Sequence, residues 1–185
     1  MKYHLKKAIL ISAVSIACFF LLSHPFCAAS ELSKTGQTKS YLIGDDGTYQ
    51  KGWAGVRFTD KGDDTITDNS TGLIWVKDGK SPGCADGATI IWKKAVDFCE
   101  NLTYAGYSDW RLPNVRELLS LVDYSRSAPA INTTYFPNTA LTDYWSSTTH
   151  ALTTSQAWGV CYDYGRSFHF DKSETNYVRC VRGVR

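Results

Sequence analysis

Apolar positions along this chain fall into two rhythms. From Val56 they come in short stretches, Val56-Arg-Phe58, Asp64-Thr-Ile-Thr67 and Leu73-Ile-Trp-Val76, rich in branched and aromatic residues. Such runs read as β-strands. Asp68-Asn-Ser-Thr-Gly72 separates the last two as a turn, and a Gly/Pro/Cys loop follows from Asp78 to Gly87. The spacing then becomes helical. Trp92, Ala95, Val96, Cys99 and Leu102 fall on one stripe, Lys93, Lys94, Asp97 and Glu100 take the outer side, and Thr89 is the candidate N-cap. A second amphipathic helix follows Trp110-Arg-Leu-Pro113. Asn114 is placed to cap it, Glu117 completes a capping box three residues on, and Val115, Leu118, Leu119 and Val122 form its apolar stripe.

Residues Tyr124 to Thr142 carry Pro129, Pro137 and no regular period. Long loops of this kind inside small domains often carry function. Strand patterns return at Tyr144-Trp-Ser-Ser-Thr148, Gln156-Ala-Trp-Gly-Val-Cys-Tyr162, Arg166-Ser-Phe-His-Phe170 and Asn176-Tyr-Val-Arg-Cys-Val-Arg182, with Asp163-Tyr-Gly165 as the hairpin turn between the middle two. Strands, two helices, a long loop and more strands predict an α+β domain on a mixed, mainly antiparallel sheet. Residues 30–55, rich in Gly, Ser, Thr and Lys, read as an N-terminal arm, loose or folded as an edge hairpin, ahead of a domain at 56–185.

The first 29 residues change the charge and cysteine count. Lys2, Lys6 and Lys7 precede an apolar run ending near Leu22, then Pro25 and Cys27-Ala-Ala29. This is the pattern of a secretory signal peptide. The run is roughly fifteen residues, short of the ~20 that span a bilayer. Phe26 is too bulky for the residue before a lipidated cysteine. Cleavage after Ala29 removes those three lysines and no acid, so the 20 basic residues fall to 17 against 18 acidic ones. Global charge then gives no support to nucleic-acid or membrane-surface binding. The exported chain keeps Cys84, Cys99, Cys161 and Cys180. An even number in an exported chain predicts two disulfides. Spacing alone does not choose among the three pairings, and neighbours along the chain, Cys84–Cys99 and Cys161–Cys180, are the simplest. No Cys-x-x-Cys occurs, and only His150 and His169 remain, too few for a three-histidine zinc site or a His-Glu-x-x-His protease.

Five segments occur together and in order: Arg57 to Trp75, the Trp92…Cys99-Glu-Asn-Leu102 helix, Gly106-Tyr-Ser-Asp-Trp-Arg-Leu-Pro-Asn114, Tyr144-Trp-Ser-Ser147 and Tyr177-Val-Arg-Cys-Val-Arg182. In these the chain resembles the Lcl C-terminal-domain family, named for a bacterial collagen-like adhesin, over about Arg57 to Arg182. The family is held to be a distant member of the C-type-lectin-like superfamily, which includes formylglycine-generating enzymes. The resemblance implies a C-type-lectin-like fold and a Cys99–Cys180 disulfide from the first helix to the last strand, leaving Cys84–Cys161. It does not imply calcium-bridged sugar binding, because the Glu-Pro-Asn or Gln-Pro-Asp motif and the Trp-Asn-Asp triplet of sugar-binding C-type lectins are absent. The adhesin's collagen-like repeat is absent too.

Candidate chemistry is sparse. Asp60, Asp63, Asp64 and Asp68, with Asn69, form an oxygen-rich cluster of the kind calcium favours, but the spacing is not that of an EF-hand loop. Turn geometry is the plain alternative. Of six tryptophans, Trp75, Trp92, Trp110 and Trp145 read as core or structural, and Trp158 or Trp53 as the ones placed to stack on a sugar ring. Trp158, Tyr162, Tyr164 and Arg166 make a candidate exposed aromatic–basic cluster, and Arg179, Arg182 and Arg185 add charge suited to sulfate or carboxylate. Arg111 is expected to pair with a carboxylate inside the fold. No nucleophile with a partnering base is evident, so no catalytic residue is assigned. The expectation is an exported, non-catalytic binding module for an extracellular, sulfated glycan or a surface protein, secreted, periplasmic or on the cell surface, with no cofactor unless calcium. The alternatives are an enzyme similar to the formylglycine generators, which would need a reactive thiol, and an envelope protein–protein domain using the long loop.

Overall fold

The structure, a computed structural model, describes residues 32–183; the expected signal peptide and Arg185 lie outside them. The elements are α1 (Asp46–Tyr49), β1 (Phe58–Asp60), β2 (Thr65–Asp68), β3 (Leu73–Val76), β4 (Ile90–Ile91), α2 (Trp92–Glu100), α3 (Val115–Ser120), β5 (Asp143–Thr149), β6 (Gln156–Cys161), β7 (Arg166–Asp171), β8 (Thr175–Asn176) and β9 (Val181–Arg182). The α+β class stands. The single mixed sheet does not, because the described strands form three antiparallel groups, β1-β2-β3-β9, β4-β8 and β5-β6-β7. A parallel bridge between Tyr144 and Tyr177 joins the third group to the C-terminal segment. Helix α2 starts at Trp92 with Ile91 at its N-cap, so Thr89 does not cap it.

Apolar burial is divided between two cores. The first gathers Phe58, Ile66 and Trp75 from the N-terminal sheet, Leu118, Leu121 and Val122 around α3, and Tyr144, Val160 and Tyr162. The second gathers Val76, Cys84, Ala95, Cys99, Trp110, Trp145 and Cys180 beneath α2. The small sheet stands between them. Side chains alternate across a strand, so adjacent Tyr144 and Trp145, both fully buried, enter different cores.

Among the described residues one disulfide is present, Cys99–Cys180, with Cα atoms 5.6 Å apart. Cys84 and Cys161 remain thiols, which corrects the second pairing. Cys84 is packed in the second core, whereas Cys161 sits half-buried beside Asp143 and Arg166 in the small sheet. A disulfide needs Cβ atoms within about 4.5 Å, and neither site presents its sulfur to the other.

The arm is neither loose nor a hairpin. The Trp53 backbone N–H donates to the Leu32 carbonyl within the arm, while Tyr124 N–H donates to the Thr35 carbonyl and the Ser33 hydroxyl meets Ser70 at 2.8 Å, which ties the arm to the domain. The 124–142 loop is anchored in the core at a few positions and exposed along 124–128 and at 133, 134, 138 and 141. Ala130, Ile131 and Phe136 are fully buried and Ile131 bridges to Val122.

Candidate functional site

The Trp110–Glu117 segment is partnered within the fold at Trp110, Arg111, Asn114 and Glu117. Buried Trp110 donates to the Tyr104 carbonyl at 3.2 Å. Arg111 exchanges both backbone hydrogen bonds with Val181, and its guanidinium meets both oxygens of Glu117 at 2.8 and 2.6 Å. The same Glu117 accepts from Asn114 N–H, while the Asn114 side chain accepts from Arg116 and Glu117 N–H. This is the expected capping box with the expected arginine pair closed onto it. Asn114, Arg116 and Glu117 also border a cavity beside α3.

The acidic cluster is also committed to its own chain. Asp68 is fully buried, pairs with Arg57 at 3.1 Å and accepts from Ser70 N–H and hydroxyl, so it is not free to meet a cation. Asp63 accepts twice from Thr65, Asp64 turns the hairpin at φ 65°, and Asp60 meets Lys77 at 2.7 Å. That lysine, with the Gly62 N–H, holds the Asp60 carboxyl below its ordinary value. No group of three His, Cys, Asp or Glu able to hold a metal occurs among the described residues. The turn role explains the sequence, and calcium is not carried forward.

The expected aromatic–basic cluster is broken up by strand register. Trp158 pairs with His169 and Cys161 with Arg166. Positions 158 and 161 have opposite parity, so Trp158 and Arg166 project from opposite faces of the small sheet. Tyr162 turns into the first core, fully buried, and its hydroxyl donates to the Leu118 carbonyl at 3.0 Å. It cannot be a surface ligand residue. Arg179 is fully buried as well, donating to the carbonyls of Val76 and Lys77 and to Thr139. Arg182 is paired with Asp109 and lies over the Tyr107 ring at 3.8 Å.

What remains exposed together is Tyr164, Arg166 and Phe168. The Arg166 guanidinium lies 5.5 Å from the Tyr164 ring centre and 5.0 Å from that of Phe168. The rings are 61% and 43% exposed. Among the described residues no carboxylate forms an ion pair with Arg166. The turn beneath is rigid: Ala128 and Ala130 N–H donate to the Asp163 and Tyr162 carbonyls at 2.8 and 2.7 Å, and Gly165, at φ 72°, leaves no room for a side chain against Val122. The long loop thus supports the hairpin from beneath. Phe168 escaped the sequence reading, although its alternation with Arg166 along β7 was available to find it.

On the other face, His150 and His169 stack with ring centres 4.5 Å apart, and Trp158 touches both. Trp53 is half-buried. A cavity of about 570 Å³, absent from the sequence reading, lies between the arm and α3, lined by Ser33, Ser70, Leu73, Arg116 and Leu119 among others. Neither thiol is poised for chemistry. Burial pushes Cys84 up to about 11 and raises Cys161 too, whereas a reactive cysteine needs its thiolate favoured.

A disulfide-stapled α+β domain that displays an arginine against two exposed rings has the make-up of a binding module. The chain belongs to the Lcl C-terminal domain family, whose model matches residues 64–182. This is an adhesin-type family, in keeping with surface binding. None of the curated proteins matches the sequence. No helix among the described residues is long and apolar enough to cross a membrane.

Proposed function

We propose that this is an exported adhesin-like domain that binds an acidic, sulfated extracellular glycan through Tyr164, Arg166 and Phe168. The observation that carries the reading is Arg166: an exposed guanidinium held between two exposed rings and left without an acidic partner. Stacking fixes the plane of the fork, which lowers the entropy lost when it grips a sulfate or carboxylate bidentately. The flanking rings offer flat apolar faces to the sugar. Family membership supports adhesion, and the Cys99–Cys180 link from α2 to the C-terminal segment supports a distant C-type-lectin-like ancestry.

The test is a glycan array on the purified protein, with and without chelator, repeated with Arg166→Ala. Binding to sulfated or carboxylated glycans, insensitive to chelator and at least tenfold weaker in the variant, is expected. Indifference to all acidic glycans, or an Arg166→Ala variant that binds as well as the parent, would overturn the reading.

A further inference from the structure

We infer that the His150–His169 pair, on the face of the small sheet opposite Arg166, is a binding site for a borderline transition-metal ion such as Zn²⁺, Ni²⁺ or Cu²⁺. His150 follows β5 and His169 lies in β7, two strands away, yet their rings meet across β6 with centres 4.5 Å apart and planes inclined by 34°. Two imidazoles that share one ion at metal–nitrogen distances of about 2.0–2.1 Å have ring centres roughly 5 Å apart. The ring separation is thus close to that of a pair sharing one ion, which the rings would reach by rotating their nitrogen edges toward a common point. Imidazole is the ligand these metals prefer, in the order Ni²⁺ below Cu²⁺ and Cu²⁺ above Zn²⁺.

The surroundings fix the backbone and leave the rings adjustable. Six paired residues hold β6 to β7, including Trp158 opposite His169, and His150 N–H bonds the Gln156 carbonyl at 2.9 Å. Thr153 N–H donates to His150 Nδ1 at 3.2 Å from an exposed loop, so ligation through that ring displaces one long hydrogen bond. Asp171, on the same face as His169, turns a carboxylate oxygen to Ser173 N–H and hydroxyl. The protein thus supplies two ligands and leaves the ion's other positions to water or to a donor from a bound partner. The site lies apart from the arginine hairpin and does not depend on what that hairpin binds.

Trp158 provides a built-in reporter, its ring centre 5.4 Å from His150 and 5.5 Å from His169. Calorimetry of the purified protein with Zn²⁺ near pH 7.5 should show one saturable site per chain. Cu²⁺ should quench a component of the emission that is missing in Trp158→Phe. His169→Phe keeps a stacking ring at an exposed position and removes the nitrogen, and His150→Phe does the same on the other side. Each should weaken metal binding at least tenfold with an unchanged thermal midpoint in the absence of metal. Absence of saturable Zn²⁺ binding, or His169→Phe binding as tightly as the parent, would show an aromatic stack only and overturn the assignment.

Discussion

The Trp110–Glu117 segment and the Asp163–Phe168 hairpin both join an arginine to aromatic residues, and the fold uses them in opposite ways. In the first, Arg111 is closed onto Glu117, the indole is buried and the peptide groups are shared with β9. In the second, Arg166 has rings for neighbours, no acid, and solvent on its open side. Distinctive composition marks both. Only the completeness of the partnering separates a motif that holds the fold together from one left to meet something else.

That contrast can be broken at several points. Replacing Cys99 and Cys180 by Ser should cost the most, about 4 kcal/mol for a loop closed across 81 residues, read from denaturant unfolding. Because β5 carries a side chain into each core, the loss should appear as one cooperative shift that includes the hairpin. Glu117→Ala should cost roughly 2 kcal/mol, because it strands a partly buried guanidinium and opens the capping box. Glycan binding per folded molecule should stay unchanged; a loss of binding equal to that in Arg166→Ala would mean that the two regions are not separate. Arg166→Ala should do the reverse, shifting stability by no more than about 0.5 kcal/mol while it weakens binding tenfold. The smallest effect belongs to the arm. Tyr41 N–H, then Thr48, hold the Asp45 carboxyl far below its ordinary value. A folded-state value below the unfolded one means that the contribution is present above about pH 4 and fades only as pH falls toward the folded value. The amide shifts of Tyr41 and Thr48 in an acid titration should therefore move only well below pH 4.

Much of the framed region was legible because its rules are local. Proline stop, asparagine cap and glutamate at the third helical position all act within one turn, so the sequence named them and the structure realises each. The disulfide was reached only by resemblance, since 81 residues separate its partners and nothing local chooses between pairings. The hairpin was read half correctly. Its strands and turn were visible, but the grouping of Trp158, Tyr162 and Arg166 required them to share a face. With Trp158 opposite His169 they do not, and a shift of one residue in the turn would have made them do so. Register is set by how the turn seats on the 128–130 backbone and by what Tyr162 finds beneath α3, neither of which is encoded near the hairpin. The same distance in sequence hid the histidine pair, whose members are joined only by the width of the sheet.

Adjacent Tyr144 and Trp145 carry one more consequence. Each is the plug of a different core, and a single peptide unit links them. Neither core can melt without dragging β5 and so exposing the other. A chain with two separate apolar centres is thereby made to unfold as one cooperative unit, and a lesion beneath α2 should be felt as instability beneath α3. The arginine hairpin, seated against the first core, therefore keeps its shape for as long as the disulfide holds the second.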